Sequence, residues 1–155
     1  MATFAKDTNV APERSLDEIR GTLKRYKANK FAMIEEDECV MMAFEMRNRR
    51  VRFVLPMPDR AESQFYYTNG GPHGKIGDFN EKAFDQAIRQ RWRALALTIK
   101  AKLESVESGI ETMDEAFMAQ LVLADGRTMG QWAAPQVERL YGDQQQMPPM
   151  LASGQ

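Results

Sequence analysis

The most reactive side chains in this sequence are Cys39 and His73, each the single residue of its type. A cysteine–histidine nucleophile needs both side chains in one cleft, but Cys39 opens the apolar run CVMMAFEM, which is typical of a strand. For a zinc site His73 has only carboxylates as partners, which is a poor ligand set. The sequence therefore predicts a buried, reduced Cys39 and no catalytic role for His73.

Two further stretches resemble ligand-binding motifs but lack their required residues. In GGPHGKIG (70–77), Asn69 stands where a phosphate-binding loop needs glycine, and Lys75 is followed by Ile76 instead of Ser or Thr. The acidic run at 35–38 lacks the ligand spacing of a calcium loop, so we expect a solvated turn. With no catalytic or metal-binding constellation, we predict a protein that is not an enzyme and uses no cofactor or metal.

Cations form the strongest functional pattern, although the net charge of the chain is only −1. Residues 47–102 carry 12 cations and 5 carboxylates, a local net charge of +7, whereas both flanking parts are acidic. A basic face built from this segment would neutralise phosphates of DNA or RNA. The candidate nucleic-acid-binding residues are Arg47, Arg49, Arg50, Arg52, Arg89, Arg91, Arg93 and Lys100. The alternative is that these cations are only the solvated borders of amphipathic elements.

Hydrophobic periodicity predicts the elements that must position these cations. A helix is expected at 15–28, because Ser15 and Glu18 have the spacing of a capping box and apolar residues follow on one face. Short runs with strand character follow at 31–36, 39–46 and 51–56, joined by turns at 35–38 and 47–50. In the second turn, Asn48 is suited to a left-handed conformation. The sequence does not predict the conformation of loop 57–79.

A long helix is predicted from Asn80 to Gly109, with one continuous apolar stripe. The stripe consists of Phe84, Ile88, Trp92, Leu95, Ile99, Leu103, Val106 and Ile110. Because Trp92 lies on this stripe, we expect its indole to be buried against the sheet. Thr112 then opens a second capping box, and a last helix at 129–141 is expected to be anchored by its apolar side chains. Those anchors are Trp132, Val137, Leu140 and Tyr141.

These elements predict an α+β fold in the order α-β-β-β-loop-α-α-α. A three-stranded antiparallel sheet would be packed by the long helix, with a helical C-terminal part. We predict one domain at 15–142, a flexible arm at 1–14 and a flexible tail at 143–155. The chain has no apolar stretch of membrane-spanning length and no signal-peptide pattern, and its single cysteine excludes an internal disulfide. A cytoplasmic location is therefore expected.

Three stretches of the chain resemble a family of small bacteriophage and prophage proteins with no assigned catalytic residues: RSLDEIRGTLKRY, AFEMRNRRVRFVLPMPD and RQRWRALALTIKAKLESVESGIETMDEAFMAQLVLADGRTMGQW. The resemblance extends over roughly residues 8–142. It implies a phage gene product that acts in the cytoplasm of the host bacterium. We expect a non-enzymatic accessory protein that contacts DNA or RNA through a basic face. The alternative is an interaction module that binds and modulates a host protein, and a homo-oligomer is compatible with both.

Overall fold

The computed structural model describes residues 4–67 and 76–142. Over these residues the predicted α+β class and the order of elements are confirmed. The elements are α1 (Pro12–Arg25), β1 (Asn29–Glu35), β2 (Cys39–Met46), β3 (Arg49–Pro56), α2 (Glu81–Glu107), α3 (Met113–Phe117) and α4 (Met129–Gly142), with short 3-10 helices at Ser63–Phe65 and Met118–Gln120. The predicted tail at 143–155, and His73 with most of the glycine-rich stretch, lie outside the described residues.

Helix α1 begins three residues earlier than the sequence pattern indicated. Its first residue is Pro12, at a position where the helix does not need a backbone N–H group. The predicted capping box at Ser15 is wrong, because Ser15 lies inside the helix, is fully buried and has a hydroxyl without a hydrogen-bond partner. Preceding residues lie along α2, where Gln86 donates hydrogen bonds to the backbone carbonyls of Lys6 and Thr8.

The sheet has β2 at its centre, paired antiparallel with β1 and with β3. Side chains along β2 alternate between buried and half-buried, so one face of the sheet belongs to the core. The turn between β2 and β3 consists of Arg47 and Asn48, whose φ angles are 50° and 60°. The left-handed conformation predicted for Asn48 is therefore confirmed, and two left-handed residues give the tight hairpin turn whose twist matches the strands.

Helix α2 supplies the main packing stripe of the core. Trp92, Leu95, Ile99 and Leu103 are buried in one cluster with apolar side chains of α1 and of the inner sheet face. The prediction that Trp92 is buried is confirmed, since its residue is only 5% exposed. The stripe ends with the helix, and Ile110 beyond it is exposed.

The chain after α2 packs against the free edge of β3. The predicted capping box at Thr112 is confirmed and begins α3, whose Phe117 is fully buried. Leu121 and Val122 then form backbone contacts with β3, including a 2.8 Å hydrogen bond from the Val122 N–H to the Arg50 carbonyl. Helix α4 follows, and none of its residues is buried.

The last helix is therefore not anchored in the way that its sequence suggested. Its existence and bounds agree with the predicted helix at 129–141. However, the four apolar side chains expected to hold it, Trp132, Val137, Leu140 and Tyr141, are all exposed. An apolar stripe requires a neighbouring element to cover it, and within the described residues α4 has such a neighbour only at its first turn, beside Ala119.

Candidate nucleic-acid interface

The structure distributes the eight predicted cations over separate parts of the molecule. Arg91 reaches the end of β3, where its Nη1 donates a 2.6 Å hydrogen bond to the Pro56 carbonyl. Arg47 lies at the opposite end of the same sheet, beside Glu107 in the last turn of α2. The 16 residues between positions 91 and 107 correspond to about 24 Å along the helix. The hairpin cations and the cations of the first half of α2 therefore do not share one surface patch.

At the hairpin end, three predicted cations meet three others from the end of α1 and the start of β1. We call this group the basic end, which consists of Arg25, Lys27, Lys30, Arg47, Arg49 and Arg50. A groove of about 500 Å³ opens among them, lined by Arg25, Tyr26, Lys27, Met46, Arg47 and Glu107. A groove of this size is in the range that encloses a small ligand or one nucleotide unit of a polymer.

Four cations of the basic end are held by carboxylates. Arg49 makes a bidentate contact with Asp114, with N–O distances of 2.7 and 3.0 Å. Glu45 binds Lys30 at 2.8 Å and Arg50 at 2.5 Å. Arg25 makes a looser contact of 3.9 Å with Glu104. These contacts fix the cations on the fold and reduce the net positive charge that they present.

These contacts shift the pKa values of Glu45, Asp114 and Arg49. The hydrogen bond from Lys30, followed by that from Arg50, lowers the pKa of Glu45. The guanidinium of Arg49 lowers the pKa of Asp114 by hydrogen bonding, and Asp114 in turn raises the pKa of Arg49. A ligand phosphate at these positions would therefore have to displace an ionised carboxylate.

Lys27 and Arg47 differ from these paired cations in two respects. Within the described residues, neither forms an ion pair with a carboxylate. Both also adopt a left-handed backbone conformation, with φ angles of 62° and 50°. That conformation costs roughly 1–2 kcal/mol for a residue other than glycine or asparagine. The groove is thus flanked by two cations whose charge is available to a ligand.

Tyr26 forms an aromatic wall in the same groove. Its ring is half-buried, and the guanidinium of Arg25 lies 5.2 Å from the ring centroid. A hydrogen bond to Glu104 raises the pKa of the phenol, so the hydroxyl stays protonated. An aromatic ring beside unpaired cations can stack with a base while the cations contact phosphate.

The other predicted cations are bound within the fold or stand apart. Arg93 pairs with Glu18 of α1 in a partly buried contact. Arg52 points from the outer face of the sheet to Gln131, at 3.3 Å, while its Nε is buried without a hydrogen-bond partner. Arg89 is half-buried and Lys100 is exposed on α2. Arg93 and Arg52 therefore connect elements of the molecule, and these four cations do not form a continuous basic face.

The other residues considered for chemistry are Cys39 and the acidic side chains. Cys39, predicted to be buried, is instead half-buried at the first residue of β2, with its Sγ 3.9 Å from Glu36 Oε2. Among residues 4–67 and 76–142, no three His, Cys, Asp or Glu side chains are grouped so that they could hold a metal. A helix long and apolar enough to cross a membrane is not found in the same residues.

Half of the basic end was predictable from the sequence, and the other half was not. Arg47, Arg49 and Arg50 stood out because they cluster in a turn. Lys27 and Lys30 are spread over the connection between α1 and β1, and only the fold brings them to the hairpin. Both have positive φ angles, which no local sequence signal indicates for lysine.

The arrangement can bind a polyanion through charge and can add one aromatic contact. Comparisons with protein-family models, with curated proteins and with solved structures find no match to this chain.

Proposed function

We propose that this protein is a non-enzymatic accessory protein that binds nucleic acid through the basic end. Phosphates would contact Lys27 and Arg47, and one base would stack on Tyr26 in the groove between them. Because such contacts go to phosphate, affinity would depend strongly on salt and weakly on base sequence. The resemblance to bacteriophage proteins would place this activity in the cytoplasm of an infected bacterium.

The observation that carries the proposal is the pair of unpaired, left-handed cations beside the groove. Glycine or asparagine would adopt the backbone conformation at positions 27 and 47 with less strain, so the conformation itself does not call for a cation there. Lys30, a third left-handed cation of the basic end, extends the positive field although it is paired with Glu45. Charge retained at a conformational cost is the pattern expected of a binding site.

The test is fluorescence anisotropy with labelled single-stranded and double-stranded oligonucleotides over a series of salt concentrations. The informative variant is the double substitution Lys27→Asn and Arg47→Asn, because asparagine suits the left-handed conformation and preserves the turn. We expect the variant to bind more weakly at every sequence. We also expect the slope of log K against log salt to fall by about 2, one unit for each phosphate that is no longer neutralised.

The matched control removes the same charge far from the groove, with Lys82→Gln and Arg89→Gln in the first half of α2. These side chains make no contact with the basic end, so binding should fall only slightly. Equal reductions in affinity in the two double variants would show that charge alone acts, without a site. No binding by the parent protein at micromolar concentration in low salt would refute nucleic-acid binding altogether.

A second candidate function is a protein–protein interaction module, such as one that modulates a host protein. The specific observation in its favour is the uncovered apolar stripe of α4. A nuclease-treated pull-down with the parent protein and with a Leu140→Lys variant tests it. A single stoichiometric partner that is captured by the parent and not by the variant would support this function.

A further inference from the structure

Helix α4 continues past the element that supports it. Close to its start, Gly130 approaches Ala119 so closely that an added Cβ would lie 2.9 Å from the Ala119 carbonyl oxygen. The same side of the helix continues through Ala133, Val137 and Leu140, which follow at spacings of four and three residues. Val137 and Leu140 are 48% and 60% exposed. The last two turns therefore carry an apolar stripe that the described chain leaves open.

The outer face of the sheet is the second uncovered apolar surface. Ile34, Met41 and Val54 are cross-strand partners in one row across β1, β2 and β3. They alternate along the strands with residues of the core, so they point away from α1 and α2. Ile34 and Val54 are largely exposed, and Ala43 in the next row is half-buried.

We propose that a second copy of this chain covers both surfaces, with α4 of each copy packed on the outer sheet face of the other. A helix with an apolar stripe and an open sheet face are complementary, because packing a helix on a sheet buries both. Each chain supplies one of each, and a two-fold axis therefore satisfies all four surfaces at once. This inference does not depend on the nucleic-acid function.

The area available agrees with a stable dimer. Five large apolar side chains of these two surfaces are between 48% and 60% exposed: Ile34, Val54, Val137, Leu140 and Tyr141. Together they leave roughly 500 Å² per copy, and a reciprocal contact would bury roughly 1,000 Å² from them alone, about the minimum for a specific interface. The half-buried side chains around them would add to that area.

The geometry at the base of α4 brings the helix near the sheet without laying it on the sheet of the same chain. Thr128 caps the helix, since its Oγ1 accepts a 3.2 Å hydrogen bond from the Gln131 N–H. The Gln131 side chain in turn accepts a hydrogen bond from Arg52 on the outer face. In the dimer, α4 would therefore begin beside the outer face of its own sheet, on which α4 of the other copy packs. A reciprocal two-fold contact requires this arrangement.

The experiment is analytical ultracentrifugation of the full chain at concentrations from about 1 to 100 µM, the range of weak to moderate dimers. The parent should be dimeric at the upper end. Leu140→Lys on α4 and Val54→Lys on the sheet should each weaken the dimer by roughly tenfold or more. Glu138→Gln, on the opposite side of α4 from the stripe, is the matched control and should leave the dimer unchanged.

A mixing experiment separates the reciprocal contact from pairing of two α4 helices. Val54→Lys and Leu140→Glu proteins should each dimerise more weakly than the parent when alone, and a mixture of the two should form heterodimers more readily than either forms homodimers. Each heterodimer has one unaltered helix–sheet contact and one that carries both substitutions as a lysine and a glutamate. Loss of the dimer in Leu140→Lys but not in Val54→Lys would overturn the proposal in favour of helix–helix pairing. A parent protein that stays monomeric at about 100 µM would also overturn it.

Discussion

Helices α2 and α4 both carry apolar residues at helical spacing, but their surroundings are opposite. In α2, four stripe residues are buried between α1 and the sheet. In α4, no residue is buried, and the large side chains of the stripe face outward. Periodicity therefore defines which side of a helix is apolar, whereas the neighbouring elements decide whether that side is covered.

The difference has consequences for stability. A packed helix such as α2 is held mainly by the core, and its end contacts supply only a small part of its stability. A 14-residue helix without burial is close to the length at which isolated helices are marginal in water. Its capping contacts, its contact with the 3-10 helix Met118–Gln120 and any partner must supply the rest.

The tryptophans of the two helices give the largest expected contrast. Trp92→Ala should lower the free energy of unfolding by about 3–5 kcal/mol, because it opens a cavity in the core. Trp132→Ala, at a position that is 46% exposed, should lower it by about 1 kcal/mol or less. Urea denaturation of both variants measures the two values, and similar decreases would contradict the opposite environments of the helices.

The glycines test how closely each helix is held. Gly130→Ala adds a methyl group against the backbone of Ala119, and this overpacking should cost about 1–3 kcal/mol. In α1, Gly21 has nothing within 4 Å of an added Cβ, so Gly21→Ala should stabilise the protein by about 0.5–1 kcal/mol. Thermal unfolding of the two variants should shift in opposite directions. A neutral or stabilising Gly130→Ala would mean that α4 does not rest on Ala119.

The extent to which sequence could predict these elements follows from the same contrast. The bounds of β2 and the stripe of α2 were predictable, because burial on one side imposes the alternation or spacing directly. The start of α1 was missed because the spacing from Ser15 to Glu18 imitates a cap, whereas Pro12 was the correct signal. The exposure of α4 was not predictable, since an apolar stripe does not reveal whether its partner belongs to the same chain.

The candidate site follows the same rule. Cations that are adjacent in the sequence, such as Arg49 and Arg50, were predicted together, but Lys27 comes beside Arg47 of the same hairpin only through the path of α1 and β1. Arg93 and Arg91 were predicted on a solvated border, yet each is bonded to a neighbouring element. Pairing depends on side chains distant in sequence, and spacing along one helix contains no information about them.

The N-terminal caps of the two helices should contribute similar free energies, but their loss should affect different lengths of helix. Thr128 and Gln131 form a reciprocal cap at the start of α4, and Asn80 accepts a 3.1 Å hydrogen bond from Ala83 at the start of α2. Each alanine substitution, Thr128→Ala or Asn80→Ala, should cost about 1 kcal/mol. Hydrogen exchange should accelerate throughout α4 in the first variant but only in the first turn of α2 in the second. Exchange limited to the first turn of α4 would show that another contact holds that helix.

The smallest expected effect concerns Asp114 in α3, on the segment that joins α2 to α4. Its pKa is lowered by Arg49, so the ionised carboxylate is favoured in the folded state. This contribution to stability is present above the ordinary pKa of an aspartate and disappears as the pH falls through the lowered value. Asp114→Asn should therefore reduce the decrease in melting temperature between neutral pH and about pH 3, where aspartates protonate.

Arg49→Gln is the matched variant, because it removes the cause of the lowered pKa and leaves Asp114 in place. It should reduce the acid-induced decrease in melting temperature as much as Asp114→Asn does, and the double variant should add nothing further. Part of the decrease will persist in all three, since Glu45, Glu115 and Asp125 also have lowered pKa values. If both single variants retain the full acid sensitivity of the parent, then the contact between the hairpin and α3 does not stabilise the C-terminal segment. In that case α4 depends still more on whatever covers its apolar stripe.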